Sequence, residues 1–214
     1  NPWWIPFFLG GIPHGISPAQ LRLLGFLTFA MFFENFDLSL LGNALPQIGA
    51  SFGLSKAGLG DFTGATRFGA LPAFFLVPLA DRLGRRRLLL VCVVGMSLGS
   101  GLTALSQSAL QFVLFQVLTR TFIVTASVVT FVVVTEEFPA ENRGWGIGML
   151  GGVSAIGFGA GALVYAFVDS LPFGWRALYM IGLVPLLLFP ALRRGIVETK
   201  RWNEHSQGLV ASRG

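Results

Sequence analysis

Charge is scarce in this 214-residue chain. Lys, Arg, Asp and Glu make up 12% of it, about half the ~25% of a soluble domain. With 53% hydrophobic residues, that shortage argues against one or two water-soluble domains. Cysteine occurs once, at Cys92, so an intrachain disulfide is excluded; inside an apolar run it reads as a space filler. The only histidines, His14 and His205, have no partners at metal-ligand spacing. Neither a metal nor another cofactor is expected. No nucleophile–base pair is visible, which argues against an enzyme. A basic leader is also missing, and Pro2, Pro6 and Pro13 interrupt the start, unlike a secretory signal. Trp3, Trp4, Phe7 and Phe8 instead suit a membrane interface.

What is abundant is apolar length. Six runs stand out, at roughly Leu21–Gln47, Ala57–Leu79, Leu88–Leu105, Leu110–Thr135, Gly144–Val168 and Ala177–Leu192. Each is near the ~20 residues that cross a ~30 Å hydrocarbon core. A β-barrel would need ~10-residue alternating segments, so the fold class expected is an all-α polytopic membrane protein with six transmembrane helices. Ser17, Pro18 and Gln20 form a capping pattern ahead of span one, and Ser55 can cap span two. Pro72, Pro78, Pro185 and Pro190 are placed to bend spans two and six. In span five, Gly148/Gly152 and Gly157/Gly161 form small-xxx-small pairs for close helix approach.

The net charge of +5 does not point to nucleic acid, because the basic residues sit in short loops. Arg22, Arg82, Arg85–Arg87, Arg143, Arg193, Arg194, Lys200 and Arg201 fall on one side of the spans; Lys56 and Arg176 fall on the other. This bias places both termini in the cytoplasm. The domain reading is a cytoplasmic segment 1–20, a bundle 21–192, and a cytoplasmic tail or linker start 193–214.

Four charges lie deep inside the spans, away from their ends: Glu34, Asp37, Arg67 and Arg120. A charge at the bilayer centre costs at least ~2.5 kcal/mol and marks an interior or a water-filled path. Glu34 and Asp37 are three residues apart, so they share one helix face. Arg67 and Arg120 fall at similar depth in spans two and four, and the four charges cancel. Asp37 and Arg120 are the expected coupling pair, with Glu34 a second proton site. Arg67, Asn35 and Arg120 are the candidates for binding an anionic solute. Desolvation and a nearby arginine pull a carboxylate in opposite directions, so motion between them can bind and release a proton. A static salt bridge that only fixes packing is the alternative. At the loop after span two, Asp81, Arg82, Gly84, Arg85 and Arg86 can form a conformational latch, against the plainer reading of a topology signal.

These residues resemble the amino-terminal six-helix half of a major facilitator superfamily transporter. Leu79-Ala80-Asp81-Arg82-Leu83-Gly84-Arg85-Arg86 resembles the superfamily's G-x-L-A-D-R-x-G-R-K/R loop, with Val77 standing where the motif starts with Gly. Phe36–Leu41 and Ala44–Ile48 resemble the first span of metabolite–proton symporters. Arg120 matches the span-four arginine. Glu136 or Glu137, Phe138, Pro139, Arg143 and Gly144 resemble the segment after span four, and Trp175-Arg176 the start of span six. Glu198…Arg201-Trp202 is a degraded form of a sugar-porter segment. Thr121–Val124 replaces the glycine-rich stretch after the span-four arginine, which weakens a sugar-specific reading.

The resemblance implies alternating access in the cell membrane, with Asp37 carrying a proton and Arg120 as its partner. Asp81, Arg82 and Arg85 would form the cytoplasmic latch, and Glu136 or Glu137 with Arg143 a matching network. The implied partners are a small organic solute (an anion or carboxylate if Arg67 faces the path), protons and membrane lipids. A full superfamily member has about twelve spans, so a second six-helix half is expected, in the same protein or as a second subunit; a truncated product is the other option. A non-transporting scaffold or receptor is the competing function.

Overall fold

A computed structural model of the chain describes Ile5, residues 11–187 and residues 189–195. The aromatic start, the Glu198…Trp202 segment and the tail from residue 196 lie outside the described residues, apart from Ile5.

Ten α-helices and no strands are found among the described residues. Helix α1 spans Pro18–Ser51. Its start is closed as the sequence predicts: Gln20 N donates to Ser17 Oγ and Ser17 N to Gln20 Oε1, at 3.3 and 2.8 Å. Span two is α2 (Lys56–Arg67), α3 (Ala70–Leu76) and α4 (Leu79–Leu83). Spans three, four and five are α5 (Arg85–Ala104), α6 (Ala109–Glu137) and α7 (Arg143–Tyr165). Span six is α8 (Trp175–Ile181), α9 (Val184–Leu187) and α10 (Phe189–Gly195). Among the described residues, four helices are long and apolar enough to cross a membrane: those of spans one, three, four and five.

Prolines account for the breaks. A proline has no N–H for the carbonyl four residues earlier. Pro72 therefore leaves Phe68, and the break between α2 and α3 falls at Phe68–Gly69. The backbone there stays right-handed helical, so span two bends without unwinding. Pro78 acts likewise on Phe74, and Pro185 on Ile181, one residue before the Gly182–Leu183 break. Pro46 sits inside α1, which continues past it.

Helix α1 packs along α7, and α6 packs against both α5 and span two, while α5 meets α8 and α9. Span one on five, span four on two, and span three on six is the pairing that a two-fold relating spans one to three with four to six would give. Small residues set the closest approach. A Cβ on Gly157 would lie 2.3 Å from the Phe32 carbonyl oxygen, and one on Gly161 2.7 Å from Ser39 Cβ. Gly148, from the other pair, faces open space.

Two large apolar clusters fill the bundle, beside a smaller one of Ala30, Val93, Met96 and Ile123. One gathers Leu24, Leu27, Leu89, Val133, Phe138 and Leu150. The other gathers Phe36, Ile48, Phe112, Trp175, Leu178 and Tyr179. Along α1, α5 and α6, a polar layer falls between them: Asp37, Ser97, Ser100, Gln116 and Thr119 are all buried.

Candidate functional site: a mid-bundle polar layer

The site is built where α1, α5, α6 and the break of span six meet. Asp37 is 8% exposed. Ser100 Oγ, on α5, donates to Asp37 Oδ1 at 3.1 Å. The same oxygen lies 3.1 Å from the Tyr179 carbonyl on α8. Asp37, Ser97, Ser100, Thr119, Gly182 and Pro185 line a small cavity, together with Phe33, Met96 and Ile123. It has room for about one water molecule. Ser97 Oγ and Tyr179 OH are buried with no hydrogen-bond partner among the described residues.

Glu34 is half-buried. Ser127 Oγ, on α6, lies 2.9 and 3.1 Å from its two carboxylate oxygens. Exposed Leu38 lies one turn from Glu34, and exposed Phe131 one turn from Ser127. This open side of the bundle is the one its own helices leave uncovered, while Asp37 is enclosed.

Arg120 is within electrostatic reach of both carboxylates. Among the described residues, however, no ion pair joins it to either. Its backbone is held close to span two, because a Cβ on Gly69 would lie 2.7 Å from Arg120 Cβ and 2.4 Å from the Val117 carbonyl oxygen. Thr121 Oγ1 reinforces that contact by donating to the Gly69 carbonyl at 2.8 Å. Arg67, two residues before Gly69, is exposed. Among the described residues no ion pair joins it to Asp61, Glu34 or Asp37. Asn35 turns its amide back to its own helix, donating to Met31 O at 3.0 Å.

The loop charges assemble at one end. Arg85 Nη2 contacts Asp81 Oδ1 at 2.8 Å and Glu136 Oε1 at 3.0 Å. The Arg85 and Glu136 side chains are 11% and 8% exposed, whereas that of Asp81 is 73% exposed. Gly84 joins α4 to α5 at φ +94°, a conformation that side chains oppose, which explains glycine at this corner. Arg86 Nη2 donates to the Arg193 carbonyl at 2.6 Å. Arg143 turns to a backbone acceptor, its Nε donating to Phe138 O at 3.2 Å. Glu137 offers its carbonyl to Gln20 Nε2, and Asn142 Nδ2 donates to His14 O at 2.9 Å. Arg82 is exposed.

The opposite end is held by rings and hydrogen bonds, with no ion pair there among the described residues. Phe112, Trp175 and Tyr179 meet edge to face, with centroids 5.7–6.0 Å apart. Trp175 Nε1 donates to Ser51 Oγ at 3.0 Å, and the Arg176 guanidinium stacks 4.3 Å above the Trp175 ring.

The sequence profile of the Major Facilitator Superfamily matches residues 27–211. The chain belongs to the major facilitator superfamily. It is a multi-pass membrane protein with one six-span half of that fold, and it is not an enzyme. The chain is 30% identical to a gallate transporter of Pseudomonas putida over 190 residues, 87% of this chain and 42% of that protein. It is 24% identical to a benzoate transport protein of Acinetobacter baylyi over 193 residues, 86% of this chain and 41% of that one. It thus spans less than half the length of these relatives. Among solved structures, the xylose transporter XylE from E. coli in a partially occluded inward-open state superposes with TM-score 0.76 at 19% identity. That match covers 87% of this chain and 52% of the transporter. A bacterial homologue of the human lysosomal transporter Spinster gives 0.74 at 22% identity, covering 86% of this chain and 46% of the homologue. At these identities the structures establish the fold alone.

Proposed function

We propose that this chain supplies one half of a proton-coupled transporter for a small organic solute, working by alternating access with a second six-helix unit. The observation that carries the reading is the polar layer: two carboxylates and an arginine, mid-bundle, with no closed ion pair between them. A static packing bridge calls for contact; a coupling site calls for groups that can change partner.

In this reading Asp37 carries the proton and Arg120 balances its charge. Glu34, on the open side, is a second proton site that passes protons inward. Arg120 and Arg67 provide cations for a carboxylate-bearing solute, with Asn35 as a further polar candidate. The names of the gallate and benzoate relatives support an aromatic acid; myo-inositol transporters of Cryptococcus neoformans, one of them 28% identical over 197 residues, make a polyol the second candidate. Asp81, Arg82, Gly84, Arg85, Arg86 and Glu136 form the latch, with Glu137 and Arg143 supporting it through the backbone at the end of α6. The excess of Arg at the latch end supports a cytoplasmic location for that end, and for both termini, in the cell membrane.

The test is uptake into proteoliposomes carrying the complete gene product, with gallate, benzoate and xylose as candidate solutes and an imposed pH gradient. Wild type should accumulate a carboxylate, and Asp37→Asn should retain exchange while losing accumulation. Equal accumulation by the variant would remove Asp37 from the mechanism.

A further inference from the structure

We propose that the Ser100 hydroxyl is a positioning group that transmits the charge state of Asp37 to the break in span six. The inference rests on the reading of Asp37 as the proton carrier and adds what its protonation does.

The geometry sets a choice. Ser100 Oγ lies 3.1 Å from both Asp37 Oδ1 and the Tyr179 carbonyl. A hydroxyl has one hydrogen to donate and two lone pairs, so it cannot donate to both. When Asp37 is ionised it is the stronger acceptor, because a charge-assisted hydrogen bond is about twice as strong as a neutral one. Ser100 then donates to Asp37, and the Tyr179 carbonyl keeps only the Gly182 N–H, at 3.1 Å. When Asp37 gains a proton, its O–H donates to the Ser100 lone pair and the Ser100 hydrogen turns to Tyr179 O. Asp37, Ser100 and Tyr179 O become one chain of hydrogen bonds joining spans one, three and six.

The receiving end is suited to respond. Tyr179 O belongs to the last turn of α8, immediately before the Gly182–Leu183 break, and Pro185 leaves the Ile181 carbonyl without its helical donor. A Cβ on Gly182 would lie 2.2 Å from Ser100 Oγ, so the close approach of span six depends on that glycine. The cavity beside Asp37 reaches Gly182 and Pro185, giving the segment space to move. The ionisable groups facing Asp37 from neighbouring helices are Arg120 on α6 and Tyr179 on α8; Glu34 lies one turn away on α1. From α5 the polar groups at the cavity are the hydroxyls of Ser97 and Ser100.

The experiment is a double-mutant cycle read by amide hydrogen exchange over residues 179–187 of the complete gene product at one pH. The forms compared are wild type, Asp37→Asn, Ser100→Ala and the double variant. The asparagine side chain mimics the protonated acid, because its amide can donate to Ser100. Asp37→Asn should slow exchange in this segment by about two- to tenfold, the worth of one hydrogen bond, and Ser100→Ala should erase that protection. Protection that is absent in Asp37→Asn, or that persists in the double variant, overturns the proposal. As a second measurement, the infrared carbonyl band of protonated Asp37 should move to higher frequency in Ser100→Ala; an unmoved band also overturns it. If Asp37→Asn still accumulates solute, the carrier reading fails instead, and the exchange cycle is read independently of that result.

Discussion

Asp37 and Glu34 stand three residues apart on one helix, yet their surroundings differ. Asp37 is enclosed by α5, α6 and α8, with Ser100 donating to it, Gln116 of α6 within hydrogen-bonding reach and a one-water cavity beside it. Glu34 accepts from Ser127 and borders the open side of the bundle. The same contrast recurs on Arg85, which holds a buried carboxylate in Glu136 and an exposed one in Asp81. An enclosed carboxylate trades its proton and hydrogen bonds within a fixed set of neighbours, and altering it changes an equilibrium. One at the uncovered face has fewer fixed partners within this bundle, and altering it changes a rate or little at all.

This contrast can be broken experimentally, beginning at Arg85. Glu136→Ala leaves the Arg85 guanidinium with the exposed Asp81 as its remaining carboxylate partner, and breaking a buried pair costs up to about 3–5 kcal/mol. A thermal melt of the complete protein in detergent should show a large drop, and an unchanged melt would mean the pair contributes nothing. Asp37→Asn comes next. A one-unit pH gradient is worth about 1.4 kcal/mol per proton, or about tenfold accumulation, which the variant should lose. Glu34→Gln should slow initial uptake several-fold while leaving the final accumulation ratio intact, since a relay sets rate and a carrier sets ratio. A lowered ratio would make Glu34 a carrier as well. Asp81→Ala should have the smallest effect on the melt, because ion pairs to an exposed partner are worth about 0.2–1 kcal/mol; a loss comparable with that of Glu136→Ala would erase the distinction.

Much of the fold is legible in the chain because it depends on local rules. The long apolar runs mark the spans, Ser17 and Ser55 mark two starts, and Pro72, Pro78 and Pro185 mark where spans two and six break. Gly84 marks a corner only glycine favours. The partners within the polar layer are not legible in this way. Ser100 and Ser127 are ordinary small residues in apolar helices, and their role depends on how each helix is rotated against α1. A weak signal exists in the spacing of Ser97, Ser100 and Thr103, which puts three hydroxyls along one face of α5. Pairing by charge points Asp37 at Arg120, but the structure gives the nearest contact to a neutral hydroxyl. Helix packing also hides the ties of Gln20 and Asn142 to distant carbonyls, since a backbone acceptor leaves no mark in the sequence.

The most direct test of the central claim is the steady-state ratio of inside to outside solute in proteoliposomes under a fixed pH gradient. Wild type and Asp37→Asn should be compared on gallate, with protein-free liposomes subtracted, because neutral benzoic acid crosses a bilayer unaided and follows the pH gradient by itself. The account predicts about tenfold accumulation per pH unit for wild type if one proton is carried. For Asp37→Asn it predicts a ratio near one with exchange preserved. Accumulation by the variant equal to wild type would contradict it.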